Sequence, residues 1–116
     1  MNPLLEIDRL VFNALKVEMG AEFMLEIVET YCDDARQQIG RLLSALDQGD
    51  AEAFTRAAHS LKSTSLSLGA LAFGDLARDL ETLGRAGRLA DAQEIVQQVQ
   101  AACEPLSRIL KDLCHE

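Results

Sequence analysis

The stretch AAHSLKSTSLSLGA, residues 57–70, contains the only histidine in the body of the chain, since His115 stands next to the last residue. A neutral imidazole is a good nucleophile near physiological pH, so His59 could carry a covalently attached group. Lys62 follows three positions later, which on a helix places an ammonium beside the imidazole, where it suits an anion attached to the ring. Ser63 is small and leaves open space beside the ring. This spacing is compatible with a reactive histidine next to a cation, while the alternative is an ordinary histidine on a solvated helix face, since surface histidines are common.

The direction in which His59 points decides between a buried and an exposed role. A helix turns about 100° per residue, so with Phe54 set at zero His59 falls at about 140°. The residues within about 60° of Phe54 face the core, and they are Ala57, Ala58, Leu61, Ser65 and Leu68. His59 is therefore expected on the polar face of its helix.

The polar face that carries His59 can be positioned only if the chain forms helices that pack together. Leu, Ala, Glu, Gln and Arg, which are strong helix formers, dominate the sequence, and Val, Ile and Thr never cluster in alternation. We predict an all-α chain whose first helix is capped by Asp8 and ends before Gly20. The other predicted helices cover residues 21–48, 50–68, 71–86 and 90–113.

The ends and faces of these helices are marked by particular residues. Asp50 is the expected N-cap of the third helix and Gly69 its C-terminal stop, a structural role. Pro105 should bend the last helix. On the fourth helix the inward residues are predicted to be Leu76, Leu80 and Leu83.

Short connections predict that neighbouring helices pack antiparallel. The expected architecture is an antiparallel four-helix bundle with a short additional N-terminal helix across one end. It forms one domain over residues 1–116, and a monomer is expected because one bundle uses the apolar stripes.

Composition and charge narrow the class of partner. The chain has 116 residues, is 48% apolar and carries a net charge of −8, so it lacks the concentrated Lys and Arg of a nucleic-acid-binding surface. The charge also disfavours anionic membranes, and no apolar run approaches the roughly 20 residues that cross a bilayer. No secretory signal is recognisable, so we expect a cytoplasmic location and a protein or small-molecule partner.

The three cysteines, Cys32, Cys103 and Cys114, are widely spaced and form no CxxC pair. An odd number without a secretory signal predicts reduced, packed thiols. A zinc site from Cys103, Cys114 and His115 would lack close ligand spacing and a fourth ligand, so no metal is expected.

The residues after His59 resemble the signature of histidine-containing phosphotransfer (HPt) domains, which are relay modules of multistep two-component signalling. The matching positions are His59, Leu61, Lys62, Ser63, Thr64, Ser65 and Gly69. Ser63 departs from the pattern, since glycine is the commoner residue there. Glu81 on the next helix stands where family members often carry Glu or Gln, and the resemblance covers about the whole chain.

The resemblance implies a mechanism. Nε2 of His59 would accept a phosphoryl group from an aspartate of a receiver domain and pass it to another receiver aspartate. Glu81 would accept a hydrogen bond from Nδ1–H and orient the imidazole, while Lys62 would offset the phosphoryl charge. The chain needs no cofactor of its own in this scheme, because the partner, a receiver domain of a response regulator or hybrid kinase, supplies the aspartate and Mg²⁺. The sequence has no GxxxxGK[ST] loop, so we expect a phosphoryl carrier and not a kinase.

A receiver domain needs a docking surface around His59. Leu66 falls at about 120° on the same helical wheel, so we expect it to touch the receiver, with Arg56 and Ser63 at the rim. The alternative for Leu66 is packing within the bundle. Arg85, one turn after Glu81, could pair with that carboxylate or reach the phosphoryl group.

Two other functions stay open at this point. An HPt-shaped bundle could regulate a kinase by contact alone, without phosphorylation of His59. A serine hydrolase that uses Ser60, Ser63 or Ser65 with His59 would need an oxyanion hole, whereas backbone N–H groups within a helix are committed to its hydrogen bonds. Two contexts also stay open, namely a freestanding protein and a module of a hybrid kinase.

Overall fold

The computed structural model describes residues 2–116, and this part of the chain is helical without a strand. The five helices are α1 (Arg9–Met19), α2 (Ala21–Gln48), α3 (Ala51–Ser67), α4 (Leu71–Arg85) and α5 (Gln93–Cys114). The prediction of an all-α chain, with its order of helices, is confirmed.

Four helices form the bundle and the first one packs against it. Helix α3 lies between α2 and α4, both of which also pack against α5, while α1 packs mainly against α2. The α2–α3 and α3–α4 connections are only two and three residues long, so these neighbours run antiparallel. Helix α3 is therefore held on both sides, which fixes the direction of its outer face.

Side-chain caps begin two of the helices where the sequence indicates. The Asp8 carboxylate accepts hydrogen bonds from the backbone N–H groups of Leu10 and Val11. The Asp50 carboxylate accepts one from the N–H of Ala53. Each cap satisfies N–H groups that have no partner within the helix.

The structure contains two 3₁₀ turns that the sequence did not predict, and one of them shifts the start of α5. Helix α5 begins at Gln93 and not at Ala90, because a 3₁₀ turn over Leu89–Asp91 precedes it. Arg88 donates to the Asp91 carboxylate at 2.8 Å across this turn. A second 3₁₀ turn, Pro3–Leu5, was not predicted, and the Asn2 side chain caps it. Helix α5 continues through Pro105.

The core is built from residues of all five helices. Its largest fully buried side chains include Phe12 on α1, Phe54 on α3 and Phe73 on α4. A buried hydrogen bond of 2.7 Å joins the Tyr31 hydroxyl on α2 to Ser65 Oγ on α3. Burial raises the pKa of Tyr31 well above its ordinary value. This bond fixes α3 relative to α2 within the core.

The thiols of Cys32, Cys103 and Cys114 are reduced and buried, as predicted. Burial raises the pKa of Cys103 and of Cys114, which keeps these thiols protonated. Within residues 2–116, no group of His, Cys, Asp and Glu side chains is arranged to hold a metal ion.

No helix in the described part of the chain combines the length and the apolar character that crossing a bilayer requires.

Candidate functional site

His59 lies on the outer face of α3, on the side that borders α4. Its side chain is 55% exposed, in agreement with its predicted place on the polar face. Its Nδ1 is 2.7 Å from Oε2 of Glu81 on α4. The two residues that the sequence analysis linked through the family resemblance are thus in direct contact.

Glu81 is the buried centre of the site, since its side chain is only 3% exposed. Lys62 Nζ donates to Oε1 at 2.7 Å, while Arg85 donates to Oε2 at 2.8 Å. One carboxylate therefore joins His59 and Lys62 on α3 to Arg85 on its own helix. The sequence pattern alone would make Glu81 a solvated charge, and the structure buries it.

The surroundings of Glu81 favour its ionised form. Burial acts to raise the pKa of Glu81, but hydrogen bonds from Lys62 and His59 and the charges of Lys62 and Arg85 outweigh it. The pKa of Glu81 consequently lies below its ordinary value, and the group is a carboxylate at neutral pH.

The charge of Glu81 determines which nitrogen of His59 carries the proton. An ionised carboxylate only accepts hydrogen bonds, so the bond to Glu81 requires a proton on Nδ1 of His59. A neutral imidazole then carries its lone pair on Nε2. Because the His59 side chain is half exposed, this nitrogen is available to a group arriving from solvent.

Small residues on α4 allow Glu81 to reach α3. The buried positions on this side of α4 are Gly74, Ala77, Glu81 and Gly84. A Cβ atom on Gly84 would lie 2.4 Å from Thr55 Oγ1, and one on Gly74 would lie 2.6 Å from Leu66 Cδ2. The two helices therefore approach each other closely above and below Glu81.

The apolar periodicity of α4 did not indicate these glycines. It predicted Leu76, Leu80 and Leu83 as the inward residues of α4, and only Leu80 is fully buried, while the other two are half-buried. The signal was present in the small residues at Gly74 and Gly84, which share the Glu81 face of the helix.

The predicted docking residues divide into two groups. Arg56 and Ser63 are exposed on α3, as a rim contact requires. Leu66 is half-buried and its side chain lies against Gly74, so it packs within the α3–α4 interface. Contact of these three residues with a receiver domain stays a prediction.

Gly69 lies in the connection between α3 and α4. Its φ is +89°, a conformation that favours glycine, and a Cβ atom there would lie 2.7 Å from the Asp8 carbonyl oxygen. The Gly69 carbonyl also accepts a hydrogen bond of 2.8 Å from the Asp8 N–H. Gly69 therefore both ends α3 and joins it to the start of α1.

Comparisons with known proteins agree with this geometry. A family model described as the Hpt domain matches residues 26–109, a range that includes every residue bonded to Glu81. Among solved structures, the chain is similar to the crystal structure of histidine-containing phosphotransfer protein B (HptB) from Pseudomonas aeruginosa PAO1. The two share 27% sequence identity with a TM-score of 0.87, over 94% of this chain and 94% of that chain. Comparison with curated proteins gives no match.

Proposed function

Because the chain belongs to the Hpt domain family, whose members carry phosphoryl groups in phosphorelays and are not ATP-dependent kinases, we propose that His59 is its phosphoacceptor. His59 takes a phosphoryl group from the aspartate of one receiver domain and passes it to the aspartate of another. The observation that carries this proposal is the bond between Nδ1 of His59 and the buried Glu81 carboxylate, which leaves Nε2 as the nucleophile.

The proposed step is a displacement at phosphorus. The lone pair of Nε2 forms the N–P bond while the bond between phosphorus and the receiver's aspartyl oxygen breaks, and the aspartate leaves as a carboxylate. The imidazole keeps its proton on Nδ1 throughout and gains positive character. Transfer to the second receiver is the same step in reverse, with the N–P bond as the one that breaks.

Glu81 supports this step by charge and by orientation. Its carboxylate faces the nitrogen that becomes more positive as the N–P bond forms, and a buried charge acts more strongly than an exposed one. The bond also holds the ring in one tautomer. Glu81 is a positioning and electrostatic residue, and it does not take the proton.

Lys62 has two roles in the proposal. In the unphosphorylated chain it holds Oε1 of Glu81 and helps to keep that carboxylate ionised. Since it lies one turn from His59, it also offsets the charge of the phosphoryl group, by about 1 kcal/mol at such a partly exposed site.

The partner completes the site in this scheme. Receiver domains of response regulators or hybrid kinases supply the aspartate and Mg²⁺, because phosphoryl transfer needs charge neutralisation that this chain provides only in part. The chain itself acts without a cofactor, as a monomeric cytoplasmic phosphoprotein.

Mass spectrometry under non-acidic conditions tests the proposal. The chain is mixed with a phosphorylated receiver domain and Mg²⁺, and we expect one phosphoryl adduct on His59 that acid removes. The His59→Gln variant should fold with unchanged helicity and take up no phosphoryl group. Phosphorylation of His59→Gln would overturn the assignment. A folded wild-type chain that no receiver domain phosphorylates would instead indicate a regulator that acts by contact alone.

A further inference from the structure

A basic groove lies beside His59 between α2 and α3. It is lined by Arg41, Ser44 and Gln48 of α2 and by Arg56 and Ser60 of α3, with alanines at its base. We refer to these five residues as the arginine groove. No carboxylate lines it, although the chain has 19 acidic residues and only 11 basic ones. The local charge is thus opposite in sign to that of the whole chain.

The two guanidinium groups of the groove make no ion pair with any carboxylate that the structure describes. Within residues 2–116, six of the basic side chains are bonded to carboxylates, and they are Arg9, Arg36, Lys62, Arg78, Arg85 and Arg88. Lys16 instead donates to main-chain oxygens. Arg108 and Lys111 lie close enough to Glu104 to help lower the pKa of that carboxyl.

Arg41 and Arg56 differ from these residues because no hydrogen bond or ion pair holds their guanidinium groups in the described part of the chain. Both are exposed, and neither makes an ion pair among the described residues. Glu52 stands one turn before Arg56 and lines the groove between α3 and α4 together with it, but the two side chains do not form an ion pair. Two unpaired cations therefore face the same open groove.

The arginine groove is continuous with the surface at His59. Arg56 and Ser60 line both this groove and the neighbouring one between α3 and α4, which also contains His59, Glu81 and Arg85. A partner that brings its reacting group to His59 and also extends from α3 toward α2 would cover Arg56 and then Arg41. An occupant of the arginine groove does not need to touch the reacting atoms.

We propose that the arginine groove docks acidic side chains of the receiver domain, with Arg41 on α2 as a specificity-determining residue for the choice of receiver. This inference rests on the proposed function for its partner. A receiver that holds Mg²⁺ beside its aspartate carries carboxylates at that edge, because Mg²⁺ is bound by oxygen ligands, and the acidic side chains that flank the Mg²⁺ site would face the arginine groove. Arginine pairs with carboxylates through two parallel hydrogen bonds, which gives the contact direction as well as charge.

Charge reversal on the two sides of the bundle tests this surface. The variants Arg41→Glu and Arg56→Glu are compared with Arg108→Glu, which makes the same charge change at an exposed position on α5, the helix diagonal to α3. The readout is the concentration of receiver domain that gives half-maximal transfer from the phosphorylated chain. We expect this concentration to rise about tenfold for Arg41→Glu and for Arg56→Glu, to depend less on salt in both, and to change less than twofold for Arg108→Glu.

A binding measurement separates docking from chemistry. The same charge variants are made in the His59→Gln background and titrated with the receiver domain, so that no phosphoryl transfer is needed. If the two groove variants bind the receiver domain more weakly while the wild-type chain is never phosphorylated, the docking proposal is supported and the proposed function is wrong. Equal effects of all three substitutions, no effect of any, or the absence of receiver binding would overturn the docking proposal.

Discussion

Glu81 is the residue on which the chemistry of this site depends. A carboxylate at 3% exposure must be compensated, and here three side chains share the compensation. Two of them, Lys62 and Arg85, are cations that favour the ionised form of Glu81, and an ionised Glu81 is what fixes the tautomer of His59.

Replacing Glu81 by glutamine tests this dependence through pH. The lowered pKa of Glu81 means that its ion pairs stabilise the fold above about pH 4.5, the ordinary value, and that this contribution is lost as the pH falls through the lowered pKa. Glu81→Gln should lower the free energy of unfolding by about 1–3 kcal/mol at pH 7 and flatten its acid dependence.

Urea unfolding followed by circular dichroism between about pH 3 and 7 measures both effects. Glu52→Gln removes an exposed carboxylate from α3 and should change stability by less than about 0.5 kcal/mol. Phosphorylation of His59 should slow in Glu81→Gln but persist. A Glu81→Gln variant as stable as wild type at pH 7 would contradict the role given to these ion pairs.

At the scale of the helix, the separation of α3 and α4 decides whether Glu81 can reach His59. Gly74 and Gly84 permit the close approach because a Cβ atom at either position would overlap a side chain of α3. The polar pair thus depends on two residues that have no side chain of their own.

Adding one methyl group to α4 should destabilise the fold, whereas adding one to α2 should stabilise it. In Gly84→Ala the new Cβ would meet Thr55 Oγ1 at 2.4 Å and Phe54 Cδ1 at 3.0 Å, so we expect about 1–3 kcal/mol of destabilisation and slower phosphorylation of His59. Gly40→Ala is the matched control, since nothing lies within 4 Å of a Cβ there.

The control should gain about 0.5–1 kcal/mol, because alanine is the better helix former. Thermal unfolding and the rate of adduct formation measure the two variants side by side. If Gly84→Ala were as stable and as active as Gly40→Ala, the close approach of α3 and α4 would be irrelevant to the site.

The sequence predicts properties that belong to one helix and misses those that need two. Caps at Asp8 and Asp50, the exposure of His59 and the order of the helices follow from periodicity and local hydrogen bonding. The burial of Glu81 and its bond to Lys62 depend on how near α4 comes to α3. A helical wheel describes one helix and gives no distance between two helices. Only the family resemblance indicated the role of Glu81.

At the scale of the whole molecule, α1 connects the two ends of the described chain. Lys16 on α1 donates hydrogen bonds to the main-chain oxygens of Leu113 and Glu116, and Arg9 pairs with the Glu116 carboxylate at 2.7 Å. The carbonyl groups at the end of a helix lack partners within it and carry its negative dipole end, so a cation there is stabilising. Helix α1 therefore stabilises α5 without approaching the site.

Removing the charge of Lys16 should affect stability alone. Lys16→Met should lower the free energy of unfolding by about 1 kcal/mol and leave the rate of phosphoryl uptake by His59 unchanged. Arg78→Gln breaks an exposed pair on α4 and should change stability by less than about 0.5 kcal/mol. Denaturant titration and the adduct assay together check this, and a slower transfer in Lys16→Met would show that α1 influences the site.

Tyr31, which is hydrogen-bonded to Ser65 in the core, also provides an intrinsic spectroscopic probe of this chain. Since the sequence has one tyrosine and no tryptophan, its intrinsic ultraviolet emission comes from a single place between α2 and α3. Burial raises the pKa of Tyr31, so we expect tyrosinate absorbance to develop in alkali together with the opening of this interface. A label-free spectrum can thus follow the helix that carries His59.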